Sequence, residues 1–230
     1  MPKIVFTNTQ NTPKEYEPKP AFTCIPEWYK NLSSYMGEEK RPDGQGSTSA
    51  TIKRCMPVFD AITNGYILFT PVDVWISQQN GQPWYEWPSF GPIQFHPIEQ
   101  APNYPKRGGH EVSYPKWTNP WGIKTEPGYS VLFIQPLHRE SVFTILPGIV
   151  DTDTYDAPVN FPFVLNDITY KGIIPAGTPM AQVIPFKRES WKMEFGSDKE
   201  LNEQNKTTIK LRSKFFDSYK TFFRQTKEYK

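Results

Sequence analysis

The sequence predicts a mainly β protein, a sandwich or distorted barrel with an extended N-terminal arm and a C-terminal amphipathic helix. Three observations carry this expectation. Between Thr125 and Arg188 lie four short apolar runs, 129–135, 142–146, 159–165 and 180–186, rich in Val, Ile and Phe and bounded by Pro, Gly or Asp. Buried strands with tight corners read that way, and helices do not. Further upstream, Val72, Val74 and Ile76 alternate with Asp73, Trp75 and Ser77, and Gln78-Gln79-Asn80-Gly81 follows. Asn-Gly accepts the positive φ of a two-residue hairpin turn, so a return strand over 83–87 is expected. At the C-terminus, Leu211, Phe215, Tyr219, Phe222 and Phe223 recur at helical spacing among Lys and Arg. That pattern predicts an amphipathic helix over 207–228.

Taken in order, the chain opens on a short apolar stretch, Ile4-Val-Phe-Thr7, that suits a strand. Pro13, Pro18 and Pro20 follow and cannot join an interior ladder, so an extended arm is expected. Residues 25–32 suit one or two turns of helix, with Pro26 at the first helical position and Ile25, Trp28 and Leu32 on one face. The Gly/Ser/charged stretch 37–50 predicts a loop. A short helix is expected around 57–62, ended by Asn64-Gly65, and a strand over 66–69. Residues 88–115 look like loop, and 116–124 like a strand interrupted at Pro120. The expected organisation is an arm with a short helix over 1–50, a β-rich core over 51–195 and a basic amphipathic helix over 196–230. That helix should pack on the core or on a partner.

Composition narrows the class. The 24 prolines among 230 residues are roughly twice the usual share of about 5%. Aromatic residues make up 15% of the chain. Extended segments pinned by rings fit both facts. From Lys206 to Lys230 eight Lys or Arg stand against Asp217 and Glu228, a local charge of +6 within a total of +2. A mildly acidic body thus carries a basic tail. Cys24 and Cys55 allow one disulfide at most and no Cys-based zinc site. The polar, Pro-rich start predicts no signal peptide, and no apolar run approaches the ~20 residues of a membrane span. A cytoplasmic protein is expected. P-loop, nucleophile-elbow and dinucleotide fingerprints are all missing from the sequence.

Three segments invite a functional reading: Pro136-Leu-His-Arg-Glu-Ser141, Pro147-Gly-Ile-Val-Asp-Thr-Asp153 and Gly177-Thr-Pro-Met-Ala-Gln182. Their order resembles the trimeric dUTPase and dCTP deaminase superfamily. The resemblance implies a nucleotide pocket in which Arg139 and Ser141 hold phosphate. Asp151 would be the catalytic or sugar-facing carboxylate, with Asp153 and Tyr155 close by and Gln182 in the supporting strand. Arg and hydroxyl donors suit phosphate oxygens, and an Asp can position water. The chain differs from that pattern in having Glu140 between Arg139 and Ser141. It also lacks the two-Ser loop and the Gly-rich C-terminal arm of that superfamily.

A broader resemblance rests on Pro26-Glu-Trp-Tyr-Lys30, Lys53-Arg-Cys-Met-Pro57, Asn64-Gly-Tyr-Ile67, Pro127-Gly-Tyr-Ser-Val-Leu132, Gly148-Ile-Val-Asp-Thr-Asp153 and Gly177-Thr-Pro-Met-Ala-Gln-Val-Ile-Pro-Phe-Lys-Arg188. These are similar to a family of conserved proteins of uncharacterised role, found in tailed phages and some bacteria. That resemblance implies a phage-type cytoplasmic or virion protein and carries over no catalytic residue.

His96, His110 and His138, with Glu99 or Glu111, raise a third idea, a metal-dependent oxygenase of cupin-like fold. The His-x-Asp/Glu spacing of a facial triad is missing, because His110 and Glu111 are adjacent and point oppositely on a strand. No metal ligand is assigned, and the sequence leaves any cofactor unknown. The basic 207–230 segment suits contact with a protein partner or self-association, and secondarily with nucleic acid. The sequence therefore favours a structural or interaction protein. The alternative is a dUTPase-like pocket for a nucleotide or other small anion.

Overall fold

Four antiparallel sheets share one aromatic core, and the turn chemistry written in the sequence sets their corners. The computed structural model describes residues 1–37, 49–88, 91–100, 113–212 and 217–230. The helix position Phe215 and the site candidates His110 and Glu111 lie outside the described residues, as does most of the loop expected at 37–50.

The described chain begins with β1 (Ile4–Asn8), β2 (Lys19–Pro20), α1 (Glu27–Asn31) and α2 (Met56–Thr63). Strands β3 (Tyr66–Phe69), β4 (Val74–Gln79), β5 (Gln82–Glu86), β6 (Ile93–Pro97) and β7 (Ser113–Trp117) follow. Then come β8 (Trp121–Thr125), β9 (Tyr129–Ile134), β10 (Phe143–Ile145), β11 (Gly148–Val150) and β12 (Phe161–Leu165). The chain closes with β13 (Gly172–Ile174), β14 (Pro179–Lys187), α3 (Asp198–Arg212) and α4 (Ser218–Phe222). The fold is thus mainly β with C-terminal helices, and its sheets are sandwich-like rather than closed into a barrel.

The chain forms two compact units. The first comprises residues 1–24 and 65–188 and holds every strand. Its sheets run β11-β9-β14-β3-β2, β10-β12-β7-β6, β13-β4-β5 and β1-β8. Of the strands that contain proline, β2, β5 and β6 lie at sheet edges, where a missing N–H on the open side costs no ladder bond. All four apolar runs between 129 and 186 became strands: β9, β10, β12 and β14. Trp117 stacks on Phe163 at 4.9 Å between ring centroids, and Phe143 and Phe133 extend the cluster. Burying one side chain of this size contributes about 1.5–3 kcal/mol.

The loop expected over 88–115 needs correction. Residues 93–97 form β6, which pairs with β7 from Ile93↔Trp117 to Pro97↔Ser113. Two prolines, Pro97 and Pro115, hid that strand pair: Pro97 lies in the edge strand β6, and Pro115 lies in β7 just outside the two residues, Lys116 and Trp117, that pair with β12.

The second unit comprises residues 25–64 and 189–230. In α1 the buried residue is Tyr29, while Trp28 is 40% exposed, so the face expected from Ile25, Trp28 and Leu32 is not the covered one. Pro26 caps α1 rather than starting it. The Tyr29 hydroxyl donates to the Lys53 carbonyl at 2.9 Å, and its ring lies 6.0 Å from Phe59 of α2. Arg224 donates to both carboxylate oxygens of Asp60, and Lys227 donates to one of them at 3.1 Å. The single C-terminal helix expected over 207–228 is two helices instead. Asp217 takes a left-handed φ of 64° before α4, which no continuous α-helix accommodates.

Candidate functional site

The sequence-predicted residues fall at opposite ends of one strand, β9. At its start, Pro127-Gly128 turns the chain, with Gly128 at φ 87°. Val150 pairs with Val131, so β11 delivers Asp151 and Asp153 beside this turn. Lys187 pairs with Tyr129, so β14 delivers Arg188 to the same corner. The Arg188 backbone N–H donates to the Gly128 carbonyl at 2.8 Å.

Arg188 organises that corner. Its Nη1 donates to Asp153 Oδ1 at 2.8 Å and to the Ser130 hydroxyl at 3.2 Å. Its Nη2 pairs with Asp153 Oδ2, which also accepts the Gly128 N–H at 2.9 Å. Asp151 Oδ1 accepts the Ser130 hydroxyl at 2.6 Å and stands 3.3 Å from Arg188 Nη1. The Asp153 side chain is 6% exposed, and that of Asp151 is 61% exposed. The Arg188 hydrogen bonds, then the Gly128 N–H, hold the Asp153 carboxyl well below the usual carboxylate range. Asp153 therefore ties three chain segments together. Asp151 is the exposed carboxylate of the group, and Tyr155, 46% exposed, follows in the turn whose backbone N–H bonds return to the Asp151 carbonyl.

Arg139, Ser141 and Gln182 gather at the other end. Gln182 is fully buried, and its Oε1 accepts the Leu137 N–H at 2.9 Å, fixing the loop that leaves β9. His138 in that loop has a left-handed φ of 55°. The Arg139 guanidinium donates to the Cys24 carbonyl, and burial pulls its pKa down. The Ser141 hydroxyl accepts the Phe143 N–H at 3.3 Å, and the Ser141 carbonyl accepts the Asn166 amide at 2.7 Å. The register separates the two groups. Ser130 lies opposite Phe186 and Ile134 opposite Gln182, four residues apart along β9. At about 3.3 Å per residue that is roughly 13 Å. The structure brings Asp151 to Asp153 and Arg188, and does not bring it to Arg139 and Ser141.

Chemically, the first corner holds two carboxylates around one guanidinium. Its local charge is negative, so it does not offer a phosphate an uncommitted cation. The sequence reading missed Arg188, whose only signal was its place at the end of an apolar run; the strand register was needed to put it against Asp153. Among the described residues no group of three or more His, Cys, Asp or Glu stands close enough to hold a metal ion. Near β6, His96 Nδ1 contacts Gln100 Oε1 at 2.6 Å. Cys24 and Cys55 are free thiols.

No described helix is long and apolar enough to cross a membrane. No protein-family model matches this chain, and no curated protein sequence matches it.

Proposed function

We propose that the protein is a structural or interaction protein of the phage type that its sequence resembles, and that residues 189–212 are the element that meets a protein partner. One observation carries this reading. Every residue from 189 through 212 is exposed, including Trp191 at 87%, Met193 at 81% and Phe195 at 92%. Isolated surface hydrophobics are ordinary, but three large ones within five residues form a patch that water disfavours. Helix α3 buries none of its fifteen residues, and a helix of that length is marginal by itself in water. Both facts support a cover supplied from outside the chain. The chemistry of the β9 corners supports the same reading, since Asp153, Arg139 and Gln182 are each engaged in holding backbone.

A photo-activatable cross-linker at position 193 of the full chain tests this. Cross-links to another polypeptide support the reading. A protein that forms none overturns it, and a nucleotide-dependent thermal shift abolished by Arg139→Ala would favour small-anion binding instead. At a hundred times its Kd such a ligand stabilises by about 2.7 kcal/mol.

A further inference from the structure

We infer that the partner of the arm 189–197 is a second copy of this chain, and that the arm seats on the outer face of the β13-β4-β5 sheet of that copy. The inference rests on the interaction reading above and adds the partner and its surface.

The arm has the pattern of a strand without being one. Trp191, Met193 and Phe195 alternate with Lys192 and Glu194, and the segment belongs to no helix or strand. The Lys192 ammonium pairs with Glu194 at 2.6 Å. Side chains two residues apart share a face in an extended chain, so this pair defines a polar side. The alternation then puts Trp191, Met193 and Phe195 together on the other side. From Trp191 to Phe195 an extended chain covers about 13 Å.

The sheet carries a surface of matching size and character. In β4 the burial alternates, with Val74 and Ile76 inside and Trp75 outside. Ile173 of β13 lies opposite Trp75. On the other side Glu86 lies opposite Trp75, and Trp84 lies opposite Ser77. Trp84 is therefore the diagonal neighbour of Trp75 on the same face. Trp75 is 39% exposed, Trp84 49% and Ile173 46%. Three strands at about 4.8 Å spacing place this row across roughly 10 Å, comparable with the apolar side of the arm. Among Ile173, Trp75, Ser77, Trp84 and Glu86 the only charge is negative, which disfavours nucleic acid as the occupant.

A second copy is favoured because donor and acceptor lie on one chain. Each copy can give an arm and receive one, so a reciprocal exchange between two copies covers the arm and the sheet face of both. Large aromatic side chains bury about 150–250 Å² each, so two arm-on-sheet contacts cover roughly 1,500 Å². Stable interfaces need about 1,200–2,000 Å².

The test uses the full chain and its mass in solution. Wild type is expected as a dimer or larger closed assembly. Two variants, Trp191→Ser/Met193→Ser/Phe195→Ser in the arm and Trp75→Ser/Trp84→Ser on the sheet, are each expected to run as monomers. Because the second could disturb the sheet, Trp84→Lys alone is measured beside it, with circular dichroism to confirm the fold. Mixing the arm variant with the Trp84→Lys variant leaves one intact arm facing one intact sheet, about half of the two-contact area, so a weaker dimer is expected that forms only at higher protein concentration. Three results overturn the inference: a monomeric wild type, an arm variant of unchanged mass, or a folded Trp84→Lys variant of unchanged mass. A monomer that still cross-links through position 193 to a different polypeptide would overturn the second copy and leave the interaction reading standing.

Discussion

Gly65 has less room than any other glycine of the described chain. A Cβ there would lie 2.0 Å from the Val183 carbonyl oxygen of β14, and its φ is +71°. Gly81 shares the left-handed backbone at φ +75° but has nothing within 4 Å of a Cβ. The two positions separate conformational strain from collision. Gly81→Val should destabilise by roughly 1 kcal/mol or more through backbone strain alone. Gly65→Ala should cost clearly more, because β3 and β14 would have to move apart. Urea titration of both variants checks the order. Asp153 permits a second prediction at this scale. Its folded pKa lies below the unfolded value, so its contribution is complete above the unfolded pKa and is lost as pH falls through the folded one. Asp153→Asn should therefore lower the melting temperature at neutral pH. It should also flatten the decline in stability below about pH 4, the unfolded carboxylate value. An unchanged acid limb would show that the Arg188 pair contributes nothing to folding.

At the scale of elements, the β4–β5 hairpin is the clearest case of local chemistry deciding structure. Asn80 and Gly81 take φ values of 53° and 75°, and Gln79 pairs with Gln82 across the turn. Both central residues are left-handed, which is the two-residue turn that Asn-Gly predicts. The C-terminal helices behave differently. Around α4 the chain is anchored by Arg224 and Lys227 on Asp60, whose side chain is 12% exposed. Burial pushes the Asp60 carboxyl up, but the hydrogen bonds from Arg224 and Lys227 outweigh it and hold the group below its ordinary value. Arg224→Ala leaves that carboxylate short of its main partner and should cost on the order of 1–3 kcal/mol. Thermal unfolding measures it, and a loss under a few tenths would mean the anchor is ornamental. Helix α3 buries none of its residues, and its Lys210 ammonium lies over the Phe222 ring at 4.7 Å. Its amides should exchange quickly in dilute protein and slowly when the chain is associated, which hydrogen exchange at two concentrations will show.

For the whole molecule, the charge distribution and the apolar arm predict opposite responses to salt. An assembly held by the basic 206–230 stretch would dissociate as ionic strength rises, because exposed charges are screened beyond about 10 Å at 0.1 M. An assembly held by Trp191, Met193 and Phe195 on Trp75, Trp84 and Ile173 should keep its mass from about 0.05 to about 0.5 M sodium chloride, a range over which screening tightens severalfold. Light scattering across that range distinguishes the two.

Much of the fold was legible in local pattern. The strands β9, β10, β12 and β14, the Asn-Gly hairpin and the short helix at Met56–Thr63 follow from apolar runs, turn residues and Pro placement, all of which act within a few residues, whereas the three-residue strands β11 and β13 are too short to leave such a pattern. The strand at Ile93–Pro97 was not legible, because Pro97 and the facing Pro115 of β7 argue against a ladder and only the strand pairing shows where each falls. The break at Asp217 was equally hidden, since apolar spacing continues through it. The same limit applies to the candidate site. Residue types picked out Asp151, Asp153, Arg139, Ser141 and Gln182, but spacing along the chain cannot say which end of β9 each reaches. Strand register decides that: it sets Arg188 against Asp153 at the start of β9, while Arg139 follows the other end of that strand, Ser130 and Ile134 being roughly 13 Å apart at about 3.3 Å per residue. Local chemistry thus determined which segments became strands and where the chain turned. Tertiary structure alone decided which side chains meet and which apolar ones stay in water, because those outcomes depend on pairings between residues distant in sequence.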